Sequence, residues 1–122
     1  MSRGVVLLVE DEPLVMLTLQ ANLEDAGWTV VSAIDGSEAI DILDGSAASF
    51  AALVTDIRLG EGMTGWSVAE MARAMRAELP VIYITADSAD RAEQAVPGSM
   101  VLQKPGVVRE LISAIDQLIP AA

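Results

Sequence analysis

Val5-Val6-Leu7-Leu8-Val9-Glu10-Asp11-Glu12-Pro13 runs five apolar residues into three consecutive carboxylates and a proline. An unbroken apolar run this short reads as a strand covered on both faces, as in a parallel sheet. Pro13 suits the first turn of a following helix, where its missing N–H is not needed. The stretch is therefore a strand, an acidic turn and a helix start. The same unit recurs along the chain. Further strand-like runs occupy residues 28–34, 51–55, Val81–Thr85 and Met100–Gln103. Helical spacing lies between them: residues 14–26 up to a Gly27 stop, then 38–43 behind the capping-box pair Asp35 and Glu38. Residues 66–77 repeat apolar side chains at 68, 69, 72 and 75, and Pro80 ends that connection. Residues 88–95 form a weaker helical pattern before the turn signal Pro97-Gly98. Val108, Leu111, Ile112, Ile115 and Ile119 make the stripe of a last amphipathic helix. Five alternations of strand and helix predict an α/β fold, (βα)5, with a doubly wound five-stranded parallel sheet and right-handed crossovers. Met16, Met71 and Met75 are expected in core stripes, Trp66 packed at its helix start, and Trp28 half-exposed.

Composition narrows the chemistry. At 122 residues, one domain over residues 1–122 is the natural count. With 52% hydrophobic residues the chain can build a core, so disorder is not expected. There is no Cys and no His, which removes thiolate sites, the usual zinc ligand and the usual general base. A formal net charge of -11 argues against nucleic acid, whose phosphates want a basic face. No apolar run approaches ~18 residues, so no membrane span is expected. The N-terminal residues lack a signal-peptide pattern, and a cytoplasmic location is the default expectation.

In open parallel sheets ligands gather beyond the carboxyl ends of the strands. Glu10, Asp11 and Glu12 follow the first strand, Asp56 the third, and Lys104 the fifth, while the fourth ends in Thr85. Lys104 is the only lysine in the chain. Two like charges ~4 Å apart at an effective dielectric of ~20 repel by ~4 kcal/mol, which one amine offsets only in part. A hard divalent cation does better, and an all-oxygen set points to Mg²⁺ or Mn²⁺. The plainer readings are a solvated acidic turn at a helix N-terminus and a salt bridge tying strand ends together. A cation beside a carboxylate and an ammonium handles phosphate. The phosphate-binding pattern Gly-x-x-x-x-Gly-Lys-Ser/Thr is absent, and the loop after the first strand is acidic. What remains is an aspartate, Asp56, that itself accepts a phosphoryl group. Lys104 and Thr85 would stand by to hold its oxygens.

Leu8-Val9-Glu10-Asp11-Glu12-Pro13, Val54-Thr55-Asp56-Ile57-Arg58-Leu59, Pro80-Val81-Ile82-Tyr83-Ile84-Thr85-Ala86 and Gln103-Lys104-Pro105 resemble the receiver domains of two-component response regulators. The resemblance covers essentially the whole chain, in the family's order and spacing. It implies a flavodoxin-like sheet of order 2-1-3-4-5 and a receiver domain with no output domain of its own. It implies that Asp56 is the phospho-acceptor, charged by a histidine kinase or histidine phosphotransfer protein. Asp11 would bind Mg²⁺ directly, Glu10 directly or through water, and the backbone carbonyl of Arg58 would be a further ligand. Thr85 would be the switch hydroxyl, Lys104 would contact phosphoryl oxygen, and its bond to Pro105 would be cis. Output would pass to a protein target through the face of the fourth helix, fifth strand and fifth helix. Such a chain is a signalling domain acting only on its own phosphorylation and dephosphorylation, not an enzyme with a separate substrate.

The sequence also departs from the family. Val101 stands where the family usually has Phe or Tyr, and Tyr83 lies on the same strand face as Thr85. Gly106 follows the Lys-Pro pair, where a bulky residue is common. These departures motivate a second reading, an interaction module that keeps the fold without using phosphorylation. Arg58 and Asp87 occupy positions that flank the approach of attacking water in the family; they pair across the site mouth or are ordinary surface charges. Gly60, Gly62 and Gly65 make the loop after Asp56 permissive, or are simple turn glycines.

Overall fold

Unbroken apolar runs and amphipathic segments sort into a parallel sheet with helices on both faces. The computed structural model describes residues 2–60, 62–86, 94–104 and 106–119. In chain order the elements are β1 (Val5–Val9), α1 (Pro13–Asp25), β2 (Thr29–Ala33), α2 (Gly36–Leu43), a single 3₁₀ turn (Ala47–Ser49), β3 (Ala52–Asp56), α3 (Gly65–Met75), β4 (Val81–Thr85), β5 (Met100–Gln103) and α4 (Val107–Leu118). All five strands pair in parallel, in the order β2-β1-β3-β4-β5. This is the doubly wound order the resemblance implies. The expected helix over residues 88–95 falls mostly outside the described residues, as do Asp87 and Pro105.

Successive side chains of a strand point to opposite faces, so each central strand feeds two cores. Leu7, Val9, Leu53, Val81 and Tyr83 meet Val68, Ala69 and Ala72 of α3 and Ala39 and Leu43 of α2. Val6, Leu8, Val54, Ile82 and Ile84 meet Leu19 and Leu23 of α1 and Leu111 and Ile115 of α4. Burying each such Leu or Ile is worth roughly 1.5–3 kcal/mol.

Local signals set the ends. The Asp35 carboxylate accepts the Glu38 N–H at 2.8 Å, and the Glu38 carboxylate accepts the Ile34 N–H at 3.0 Å. The reciprocal bond thus reaches one residue beyond the cap. Thr64 caps α3 by accepting the Ser67 N–H. After α1, Gly27 at φ +100 lets its N–H reach Glu24 O and the Trp28 N–H reach Leu23 O, a Schellman closure.

That closure corrects one expectation. Trp28 belongs to the end of α1 rather than to β2, and it is 3% exposed, not half-exposed. The Arg3 guanidinium covers its ring at 4.6 Å. Met16 is buried as expected, but Met71 and Met75 are each 40% exposed. The buried stripe of α3 runs through Gly65, Val68, Ala69 and Ala72, and at ~100° per residue both methionines lie well round from its centre. Trp66 is buried at the start of α3, its ring 4.5 Å from that of Tyr83. β3 extends one residue further than its apolar run, because Asp56 pairs with Ile84 and the Ile57 N–H donates to Ile84 O.

Candidate functional site at the carboxyl ends of the strands

The strand order places β1 and β3 side by side, with β4 and β5 following. Their carboxyl ends deliver Glu10, Asp56, Thr85 and Lys104 to one edge of the sheet. Glu10 continues the β1 ladder, its N–H donating to Ala33 O at 3.0 Å, and is 1% exposed. Asp56 is the buried last residue of β3. The Lys104 N–H donates to Thr85 O at 2.7 Å, which carries the β4–β5 ladder past the strand end and turns the amine back over the sheet.

The amine lies between two carboxylates. Lys104 Nζ is 3.1 Å from Asp56 Oδ2 and 3.3 Å from Glu10 Oε1. Asp56 Oδ1 accepts the Arg58 N–H at 3.2 Å, and Glu10 Oε1 accepts the Glu12 N–H at 3.4 Å. Glu10, Asp11 and Asp56 can each direct a carboxylate oxygen to a common point, the three oxygens lying within 4.8 Å of one another. Asp11 is the exposed member of this trio. The loop after β3 passes over it: a Cβ on Gly60 would sit 3.6 Å from Asp11 Oδ2.

The electrostatics leave this cluster short of positive charge. Burial pushes the Glu10 carboxyl up to about 7, aided by the Asp56 carboxylate, which repels the ionised form and accepts a hydrogen bond from the protonated one, and opposed by Lys104. Burial pulls the Lys104 amine down, but Asp56 and Glu10 outweigh it and hold the amine above its ordinary value. Glu10 Oε2 is buried without a hydrogen-bond partner. A buried carboxylate oxygen normally finds a partner. The oxygen-only donor set and this orphaned atom fit a hard cation such as Mg²⁺ or Mn²⁺, which keeps several waters and needs few protein ligands.

The remaining sequence candidates sort as follows. Thr85 is buried at the end of β4, one step along the neighbouring strand from the Ile84 that pairs with Asp56. Arg58 is exposed, and its backbone N–H, as noted, serves Asp56. Val101 is half-buried on β5 directly opposite Tyr83. Tyr83 is fully buried, and its hydroxyl oxygen accepts the Val96 N–H at 3.1 Å. The aromatic ring missing at position 101 is thus matched by one fixed in the core from the adjacent strand. Gly106 adopts a right-handed helical conformation as the cap of α4.

Two contacts at the acceptor were not legible beforehand. The Thr55 hydroxyl donates to the carbonyl oxygen of Asp56 at 2.9 Å. Gly65, at the start of α3, lies against that same carbonyl. A β-branched strand residue and a loop glycine carry no sign of either contact.

Comparison with known proteins agrees with this geometry. The profile of the response regulator receiver domain matches residues 6–116. The crystal structure of a response regulator receiver protein from Sinorhizobium medicae is similar at TM-score 0.90 and 36% identity, covering 97% of this chain and 95% of that one. The transcriptional regulatory protein PrrA of Mycobacterium bovis is 32% identical over 117 residues, covering 93% of this chain and 49% of PrrA. The DNA-binding transcriptional regulator NtrC of Escherichia coli is 30% identical over 122 residues, covering 98% of this chain and 25% of NtrC. The chain thus spans about half the length of PrrA and a quarter of NtrC.

Proposed function

The chain belongs to the response regulator receiver family, a family of signalling domains, and from that footing we propose that residues 1–122 form one receiver domain whose Asp56 accepts a phosphoryl group. The donor is a histidine kinase or histidine phosphotransfer protein. An Asp56 carboxylate oxygen attacks phosphorus, the bond from phosphorus to the donor's histidine nitrogen breaks, and an acyl phosphate forms. Hydrolysis returns the carboxylate and inorganic phosphate, so the only reaction is on the chain itself.

Each residue has a part in that transfer. Glu10, Asp11, Asp56 and the backbone carbonyl of Arg58 would hold Mg²⁺ or Mn²⁺. When bound, the cation neutralises charge shared by the carboxylate and the phosphoryl oxygens. Lys104 already contacts Asp56 Oδ2, so its amine needs only a short shift to hold a phosphoryl oxygen. Thr85 offers its hydroxyl to another. Asp87 and Arg58 would tune acyl-phosphate lifetime by flanking the path of water. The transfer is then mainly positioning and charge neutralisation.

The observation that carries this reading is the cluster of three carboxylate oxygens within 4.8 Å beside the chain's only lysine, with Glu10 Oε2 orphaned. Incubation with acetyl phosphate and Mg²⁺ should raise the intact mass by one phosphoryl group. The gain should vanish in Asp56→Ala; a gain that survives there removes Asp56 from the role.

Output is proposed to be protein–protein. The net charge of -11 disfavours a nucleic-acid partner for these residues. The fold offers a groove of about 330 Å³ between β5 and α4, lined by Met100, Leu102, Arg109, Glu110, Ser113 and Gln117 among others. It lies on the face of the fourth helix, fifth strand and fifth helix in the family's count, where α4 here is the fifth. Among the described residues no helix is long and apolar enough to cross a membrane, and a cytoplasmic location accords with a kinase partner.

A second reading is favoured by the Tyr83–Val101 pairing. With the aromatic already fixed inside, the domain would bind its target without regard to phosphorylation. Equal target affinity before and after phosphorylation would select this reading.

A further inference from the structure

Helices α2 and α3 each begin on a glycine, and neither Gly36 nor Gly65 has positive φ. Alanine would suit either backbone, so contact alone decides whether a side chain fits. A Cβ on Gly36 would lie 2.7 Å from Met63 Cβ and 2.9 Å from Val68 Cγ2, both side-chain atoms. A Cβ on Gly65 would lie 2.1 Å from the carbonyl oxygen of Asp56 and 2.8 Å from Ile57 Cα, both backbone. The Gly65 N–H also donates to Ile57 O at 2.8 Å. The first turn of α3 therefore rests directly on the backbone of the residue that carries the acceptor carboxylate.

A second brace meets the same atom. Thr55 is fully buried, and its hydroxyl donates to the Asp56 carbonyl oxygen at 2.9 Å. Neither group is within the set assigned to cation, phosphoryl group or amine. We propose that Gly65 and Thr55 are positioning residues for phosphoryl acceptance. Together they fix the Asp56 backbone from two sides and so aim its carboxylate into the acidic cluster and Lys104. This rests on the reading of Asp56 as acceptor. Relieving the Gly65 contact would move backbone by roughly 1 Å, and a 1 Å misplacement can cost on the order of 10²-fold in rate.

The test compares wild type with Gly65→Ala, Gly36→Ala, Thr55→Val and Thr55→Ser. Each is assayed for phosphorylation by acetyl phosphate in saturating Mg²⁺, by intact mass against donor concentration, and each is melted thermally. Gly36→Ala should lose melting temperature yet keep a near-wild-type maximal rate. Gly65→Ala should lose roughly 10-fold or more of its maximal rate, beyond what its melting temperature accounts for, with little change in half-saturating donor. Thr55→Val should be slowed and Thr55→Ser, which keeps the hydroxyl, should recover. Equal maximal rates in Gly65→Ala and Gly36→Ala would overturn the role of Gly65. A wild-type rate in Thr55→Val would overturn that of Thr55, and it decides the proposal if Gly65→Ala does not fold. A wild type that gains no phosphoryl group would instead overturn the acceptor reading and this inference with it.

Discussion

The two ends of the sheet use charge in opposite ways. At the amino ends, arginines are spent on structure. Arg73 donates to Leu79 O at 2.7 Å and to Pro97 O at 2.8 Å, and Arg76 donates to Phe50 O. Arg3 pairs with Asp116 at 2.8 Å and covers Trp28. Each of these cations ties one connection to another, and the backbone carbonyls are satisfied. At the carboxyl ends, Glu10, Asp11 and Asp56 cluster, two of them sharing the Lys104 amine, and Glu10 Oε2 is buried without a partner. Arginines on carbonyls tie the amino ends together, where the buried atom without a partner is the neutral Trp28 Nε1, whereas the carboxyl ends gather an excess of negative charge around one amine. Such imbalance is a common mark of a site whose ligand completes it.

The largest expected break in this contrast is with pH. Glu10, held at about 7 against an ordinary 4.5, binds its proton more tightly folded than unfolded. The stability this gives is complete below about 4.5 and is lost as pH rises through about 7. The difference corresponds to roughly 3 kcal/mol. Urea unfolding in chelator should therefore show wild type losing ground to Glu10→Gln between those pH values, with Mg²⁺ restoring part of the loss. Parallel stability curves would refute it.

Next in size is removal of the amine. Lys104→Met leaves two buried carboxylates facing each other. The Lys104 side chain is 16% exposed, so the cost should fall below that of a fully buried pair, at about 2 kcal/mol near neutral pH without divalent cation. Denaturant midpoints measure it, and an unchanged midpoint would mean the cluster is not strained.

The smallest effect belongs to the other end. Arg3 and Asp116 are 33% and 51% exposed in their side chains, so Arg3→Ala should cost about 1 kcal/mol or less, most of it from the contact with Trp28. Added salt should shrink the difference only slightly. A loss equal to that of Lys104→Met would erase the distinction between the ends.

Much of this was legible in the residues. Five short apolar runs, three of them nearly continuous, located the strands, and charged residues behind three of the five located the site. Burial at element margins was harder to read. Trp28 looked like the start of a strand because its role depends on Gly27 turning the chain back onto Leu23. Met71 and Met75 satisfy helical spacing, but the small side chains of Ala69 and Ala72 centre the buried face elsewhere. The apolar run stops at Thr55 because Asp56 is polar, although the backbone ladder continues through Asp56. Contacts between backbone atoms, such as Gly65 on Asp56, leave no compositional trace.

The placement of the two indoles gives the molecule an optical property of its own. Trp66 adjoins Gly65 and touches Tyr83 near the acceptor end, whereas Trp28 sits at the far end beneath a guanidinium. One chromophore therefore watches the reacting edge and the other the opposite end, so emission from a pair of single-tryptophan variants, Trp28→Phe and Trp66→Phe, can separate a local event from general loosening.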